Sequence, residues 1–180
     1  MKYAYADPPY LGRGRKLYKE HHDQAHIWDT LEAHQNLIAK LDHFDGWAMS
    51  LSAPSLKQIL PMCPDDVRIA AWVKPFAVLK KGVNPTYAWE PVIFRGARKR
   101  GLEEPHVKDW VSANITMQKG LPGAKPLEFC VWICKLLGVQ KTDTLVDLFP
   151  GTGIMAEAVE RLKNRRWEQA PLFKQTEGTT

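Results

Sequence analysis

"TLVDLFPGTGIMAEAVERLKN", residues 144–164, joins an apolar run to a helical repeat through a turn that carries two glycines. The run "TLVDLF" has the near-continuous apolar character of a strand buried on both faces. "IMAEAVERLKN" continues as a helix. Gly151 and Gly153 stand at the junction, where missing side chains let a ligand approach backbone N–H groups at a helix N-terminus. A tight turn with no ligand uses glycine in the same way, so the stretch speaks first for a fold: a strand, a turn and a helix of an α/β layer.

Working outward, "GAKPLEFCVWICKLLG" (123–138) begins with Lys-Pro and stops at Gly138, the expected distribution of proline and glycine about a helix. At the other end of the chain "KYAYA" (2–6) reads as a short strand running into Asp7, Pro8, Pro9 and Tyr10. Residues 11–26 are basic, contain glycine and lack a period, and read as a loop. Ile27, Leu31, Leu37, Ile38 and Leu41 recur at near-helical spacing and predict a helix over 27–41. "GWAMSLSA" (46–53), "VRIAAWV" (67–73) and "YAWEPVIFRG" (87–96) are strand-like, with a short helix and a proline-bounded turn between the first two. Strands alternating with helices predict an α/β sheet covered on both faces. Trp47, Trp72 and Trp89, all in predicted strands, are expected in or near the core.

The chain of 180 residues, 44% hydrophobic, suits one domain over 1–168 with a polar tail over 169–180. Cys63, Cys130 and Cys134 lack zinc-type spacing and imply no disulfide framework; Cys130 and Cys134 lie four apart in an apolar helix and are expected in the core. His21, His22 and His26 lack regular ligand spacing, and no metal is expected; a solvated loop and a loop touching substrate both remain open for them. No run approaches the ~18 apolar residues of a membrane span, and no signal sequence is legible, which points to the cytoplasm.

The net charge of +5 is modest, so its meaning lies in clustering. Arg13, Arg15, Lys16 and Lys19 follow the Asp-Pro-Pro-Tyr turn, and Arg95, Arg98, Lys99 and Arg100 follow a later strand. Either group is a solvated face or a surface for a polyanion such as DNA. Lys74, Lys80 and Lys81 carry the same two readings. In an open α/β sheet ligands bind beyond the carboxyl ends of strands. Both Asp7-Pro8-Pro9-Tyr10 and the Gly151–Gly153 turn follow strands, so neighbouring strands would give the two motifs one crevice.

"DPPY" (7–10), "GAKPLEF" (123–129) and "DLFPGTG" (147–153) together resemble hallmark motifs of the S-adenosylmethionine-dependent methyltransferases that modify exocyclic amino groups in DNA. Their order is similar to the circularly permuted, β-type arrangement of that family, with the catalytic motif first and the cofactor strand last. "GWAMSLSAPSL", "AAWVKPF" and "YAWEPVIFRG" resemble the family's middle strands, so the likeness spans most of residues 1–162. It implies a Rossmann-like α/β sheet, permuted and shortened in its C-terminal, cofactor-binding half, where Glu168 stands in for the family's ribose-binding acid. A shortened half implies weak cofactor affinity or help from a homodimer or partner subunit. It also implies a compact bacterial or phage enzyme.

The resemblance assigns Asp7 and the Pro8 carbonyl as acceptors for both hydrogens of the target amino group. Pro9 stiffens the turn and Tyr10 stacks on a base rotated out of the duplex. It assigns Phe149, Gly151, Gly153, Lys125 and Pro126 to the S-adenosylmethionine pocket, where Asp147 either fixes the turn or reaches the cofactor amine. Glu90 recurs at the corresponding place in the family; a glutamate paired with Arg95 or Lys74 is the other reading. An aspartate opening the tetrapeptide favours adenine N6. Cytosine N4, RNA, and a non-catalytic subunit that keeps the fold are the alternatives.

Overall fold

The computed structural model describes residues 1–15, 25–77, 79, 81–116 and 124–164. Strand β1 (Lys2–Ala6) has Tyr3, Ala4, Tyr5 and Ala6 all buried. Successive side chains of a strand point to opposite faces. Tyr3 and Tyr5 accordingly enter one core with helices α3 (Leu127–Leu137) and α4 (Ile154–Asn164), while Ala4 and Ala6 enter a second core with α1 (Leu31–Leu41) and the short α2 (Leu56–Ile59). The remaining strands are β2 (Gly46–Ser50), β3 (Arg68–Val73), β4 (Trp89–Arg95), β5 (Trp110–Ser112) and β6 (Thr144–Asp147). They form one mixed sheet in the order β5-β3-β4-β2-β1-β6. β1 runs parallel to β2 and β6, β4 runs antiparallel to β2 and β3, and β5 pairs parallel with β3.

Each helix follows from its sequence. Thr30 caps α1 by accepting a hydrogen bond from the Ala33 N–H at 3.3 Å, and His34, Leu37, Ile38 and Leu41 form its buried stripe. The predicted helix over 27–41 therefore divides at Thr30, with a 3₁₀ turn over Ala25–Asp29 before it. Ile27 and Leu31, expected on the buried stripe, are exposed. Helix α3 is apolar on nearly every side because it lies between the sheet and α4, and Gly138 ends it with φ 75°. Cys130 and Cys134 are buried there as predicted, and burial pushes the Cys134 thiol up to about 12.

Three expectations are corrected. The sheet is covered on both faces at β2 and β1, but Ile69, Val73, Trp89 and Trp110 leave an apolar strip uncovered over β3, β4 and β5. Trp89 is thus 41% exposed, whereas Trp47 and Trp72 are buried. β5 escaped the sequence reading, because three residues carry no alternation and become a strand through pairing with β3.

The third concerns the basic residues over 95–100, read from the sequence as a solvated face or a surface for a polyanion, several of which are spent on internal partners. Arg98 bonds the Gly138 carbonyl at 3.0 Å and the Asp143 carboxylate at 2.7 Å, and Arg100 bonds the Lys135 carbonyl at 2.7 Å. Asp143 also holds the Met1 ammonium at 2.7 Å, so this cluster sits where β1 begins, at the opposite end of the strand from Asp7. Lys99 is exposed between them, and Arg95 pairs with Asp42 and Asp66. Among the described residues no helix is long and apolar enough to cross a membrane.

Burial alone would raise the Asp143 carboxyl, but the Met1 ammonium, the Gln140 N–H and Arg98 outweigh it and hold the group at about 2. Its depressed value means that its stabilisation is present above the usual carboxylate range and lost as pH falls toward 2. Asp143→Asn is expected to flatten that acid limb in a pH series of thermal melts. Arg98→Ala is expected to cost about 1–3 kcal/mol through lost charged hydrogen bonds, and to leave affinity for DNA unchanged in a binding titration.

Candidate active site

β1 and β6 are parallel neighbours with Tyr5 opposite Asp147, and the Leu148 N–H donates to the Tyr5 carbonyl at 2.9 Å. The Asp-Pro-Pro-Tyr turn and the glycine turn therefore leave the sheet side by side, at the carboxyl ends of their strands. Because β4 runs opposite to β2 and β3, its first residues arrive at this same end beside the last residues of β3. Four separated stretches of chain meet there.

A cavity of about 230 Å³ at this end is lined by Asp7, Tyr10, Trp72, Lys74, Glu90 and Lys125, with Ile115, Thr116 and Ala124 completing the wall; the glycine turn lies outside that lining. Its volume is below the ~300–1,000 Å³ of drug-sized sites and on the scale of a single heterocycle. Lys125 Nζ lies 2.7 Å from both Asp7 carboxylate oxygens and 3.1 Å from the Tyr10 hydroxyl. Tyr10 donates in turn to Glu90 at 2.6 Å, and Glu90 pairs with Lys74 on its other oxygen. The Trp72 indole N–H donates to the Ala113 carbonyl at 2.8 Å, fixing the ring over which Lys74 and Lys125 lie.

The charges balance as two lysines against two carboxylates. Burial pushes Asp7 above the ordinary carboxylate range, with Lys125 opposing the rise and Glu90 adding to it. Burial acts on Glu90 in the same direction, but Lys125, Lys74 and the Tyr10 hydroxyl outweigh it and hold Glu90 below its usual range. Tyr10 is raised well above its ordinary value by burial and by both acids, so it keeps its proton and donates it to Glu90. Pro8 is buried, and among the described residues no backbone N–H outside the helices and strands donates to its carbonyl. Asp7 thus presents an acceptor in the cavity wall, with Pro8 directly behind it in the chain.

Of the residues assigned to a cofactor, Asp147 accepts from the Phe149 N–H at 3.0 Å, which closes the turn. Burial raises its carboxyl, with the Phe149 N–H opposing. Gly151 and Gly153 adopt φ of 44° and 76°, and a Cβ on either would meet nothing closer than the Phe149 carbonyl at 3.8 Å. Open space beside left-handed backbone, at the start of α4, forms a cradle that side chains would fill. Lys125, assigned to that pocket with Pro126, has its ammonium on Asp7 in the wall of the cavity. Pro126 is the N-cap of α3 and places Lys125 at the helix entrance.

The sequence reading did not single out Trp28 or His34. The Trp28 ring lies 5.0 Å from Phe149 and 5.6 Å from His34, both edge-on. His34 Nδ1 is 3.0 Å from the Thr30 carbonyl, one turn back on the same helix. Burial lowers the His34 pKa. Trp28 packs the glycine turn, through Phe149, against His34 of α1. The legible signal was that His34 opens the i, i+3, i+4, i+7 series completed by Leu37, Ile38 and Leu41.

Arg13 and Arg15 are exposed just beyond Tyr10, where the Arg13 N–H donates to the Tyr10 carbonyl and Asp29 holds the Gly14 and Arg15 N–H groups. Lys16, Lys19, His21, His22, Lys80, Glu168 and the segment 169–180 lie outside the described residues. Among the described residues no group of His, Cys, Asp and Glu could hold a metal ion.

No protein-family model matches the chain, and no curated protein matches it. Solved structures do. The crystal structure of the M1.HpyAVI–SAM complex is 15% identical, with a TM-score of 0.59 over 90% of this chain and 78% of that one. The crystal structure of M1.HpyAVI is 13% identical, with a TM-score of 0.56 over 91% and 76%. The mixed six-stranded sheet is the fold of these neighbours.

Replacing Lys125 by methionine removes the cation that opposes the rise of Asp7. The Asp7 titration, followed through its side-chain carboxyl carbon resonance, is expected to move to higher pH; an unmoved titration would show that Lys125 does not govern it.

Proposed function

We propose that this chain transfers a methyl group from S-adenosylmethionine to an exocyclic amino group of a base in DNA, adenine N6 in particular. The observation that carries the reading is the Asp7 carboxylate at the end of β1, in the wall of a heterocycle-sized cavity, with the open Gly151–Gly153 cradle at the end of the neighbouring strand. The shared fold supports it, since one neighbour's structure holds SAM. The motif order supports the DNA amino-group class, and the aspartate at position 7 favours adenine over cytosine.

An exocyclic amine is a poor nucleophile because its lone pair is delocalised into the ring. Asp7 and the Pro8 carbonyl accept its two hydrogens and turn the lone pair out of conjugation, a matter of orientation and placed charge. Lys125 need not leave, because each carboxylate oxygen has two lone pairs and can serve both the ammonium and the amine. Tyr10, its hydroxyl pinned by Glu90 and Lys125, offers a ring face to the base, with Trp72 forming the opposite part of the wall. Asp7 stabilises the positive charge that develops on nitrogen and takes the proton on Oδ. When bound, S-adenosylmethionine supplies a methyl group made electrophilic by its sulfonium. Phe149, Gly151, Gly153 and Asp147 would hold it, with the glycines admitting its amino-acid part to the backbone.

Incubation with tritiated S-adenosylmethionine and unmethylated DNA, followed by digestion to nucleosides, is expected to yield labelled N6-methyladenine nucleoside. Asp7→Ala is expected to reduce the rate by roughly 10²–10³-fold while retaining cofactor binding. Because the acting species is the Asp7 carboxylate, the rate is expected to fall as pH is lowered through its raised value. Label in cytosine would replace the adenine assignment, and cofactor binding with no transfer to any base would overturn the enzymatic one.

A further inference from the structure

β3 and β4 are joined by a hairpin whose base is closed by Val73 opposite Trp89 and by the Lys74 N–H donating to the Ala88 carbonyl at 2.8 Å. Both feet belong to the cavity wall: Lys74 and Glu90 line it and pair across it. The connection over 74–88 is far longer than the two to five residues of an ordinary hairpin loop, and loops of such length are usually functional. Phe76 is 58% exposed, Leu79 83% and Tyr87 46%. Residues 74–89 hold Lys74, Lys80 and Lys81 and no acidic residue. Aromatic rings left in solvent, interleaved with lysines and free of acids, have the chemistry that holds a nucleic-acid strand: ring faces for bases and cations for phosphates.

We infer that the 74–89 hairpin is a DNA-contacting element that grips the nucleotides next to the target base, with Phe76 and Tyr87 stacking on bases and Lys81 meeting a phosphate. This rests on the reading of the chain as an enzyme acting on DNA. A base seated between Asp7 and Tyr10 remains attached to its strand, so its neighbours must cross the cavity rim. Two sides of that rim are the turn carrying Arg13 and Arg15 and the feet of this hairpin. Of the basic groups in the sequence, Lys74 and Lys81 thus lie at the end of the sheet where the cavity opens, and the 95–100 group at the other.

The test uses the full chain and fluorescent DNA oligonucleotides with an adenine flanked on each side by a photoreactive iodouracil. Photo-crosslinks mapped by mass spectrometry are expected on Phe76 or Tyr87. Phe76→Ala and Tyr87→Ala are each expected to weaken oligonucleotide binding about tenfold and to raise KM with kcat retained. Lys81→Glu is expected to reduce the salt dependence of binding by about one phosphate contact. All three side chains are exposed, and unchanged thermal melts would confirm that the variants fold. Crosslinks confined to other segments, with affinities within twofold of the parent, would overturn the inference. So would a change in self-association by sedimentation with unchanged DNA affinity, which would make the hairpin a protein contact. Oligonucleotide binding that depends on the hairpin without any methyl transfer would support this inference and sink the enzymatic reading instead.

Discussion

The contact between Lys125 and Asp7 organises this molecule. It spans 118 residues of chain and places an ammonium 2.7 Å from both oxygens of a carboxylate that is 21% exposed. Removed from water without a cation, Asp7 would take up a proton and lose its use as an acceptor. Glu90 shares the same lysine and adds Lys74, so the two acids and two lysines form one balanced cluster. Tyr10 lies between them with its hydroxyl bonded to both signs of charge, which orients the ring.

Around that cluster the fold does the work of alignment. Parallel pairing of β1 with β6 brings the Asp7–Tyr10 turn and the glycine turn to adjacent strand ends, and the Trp28 ring packs Phe149 of the glycine turn against His34 of α1. Reversal of β4 brings Glu90 to the same end. In the proposed reaction the amine and the methyl donor must be held within a fraction of an ångström of a productive line, and this is best achieved by turns attached to paired strands rather than by free loops.

Positive charge serves two ends in this chain. Arg98 and Arg100 are consumed by carbonyls at the end of α3 and by Asp143, holding the start of β1 in place. Arg13, Arg15 and Lys81 are exposed at the end of the sheet where the cavity opens or on the hairpin that leaves it. A count of basic residues therefore overstates the surface offered to a polyanion. What matters is which of them lack a carboxylate or carbonyl within reach.

Local chemistry was written in the sequence. The strand at 2–6, the proline start and glycine stop of α3, the burial of Cys130 and Cys134, and the strand-turn-helix over 144–164 depend on residues near one another in the chain, where propensity and period act directly. The motifs Asp7–Tyr10 and Asp147–Gly153 were legible for the same reason. Tertiary structure alone decided the partners: that Lys125 reaches Asp7, that Glu90 takes Tyr10 and Lys74, that Arg98 is structural, that β5 exists and that Trp89 faces solvent. These outcomes depend on which strand lies beside which and in what direction. That is set by the burial of two cores over the whole chain, and no short stretch carries it.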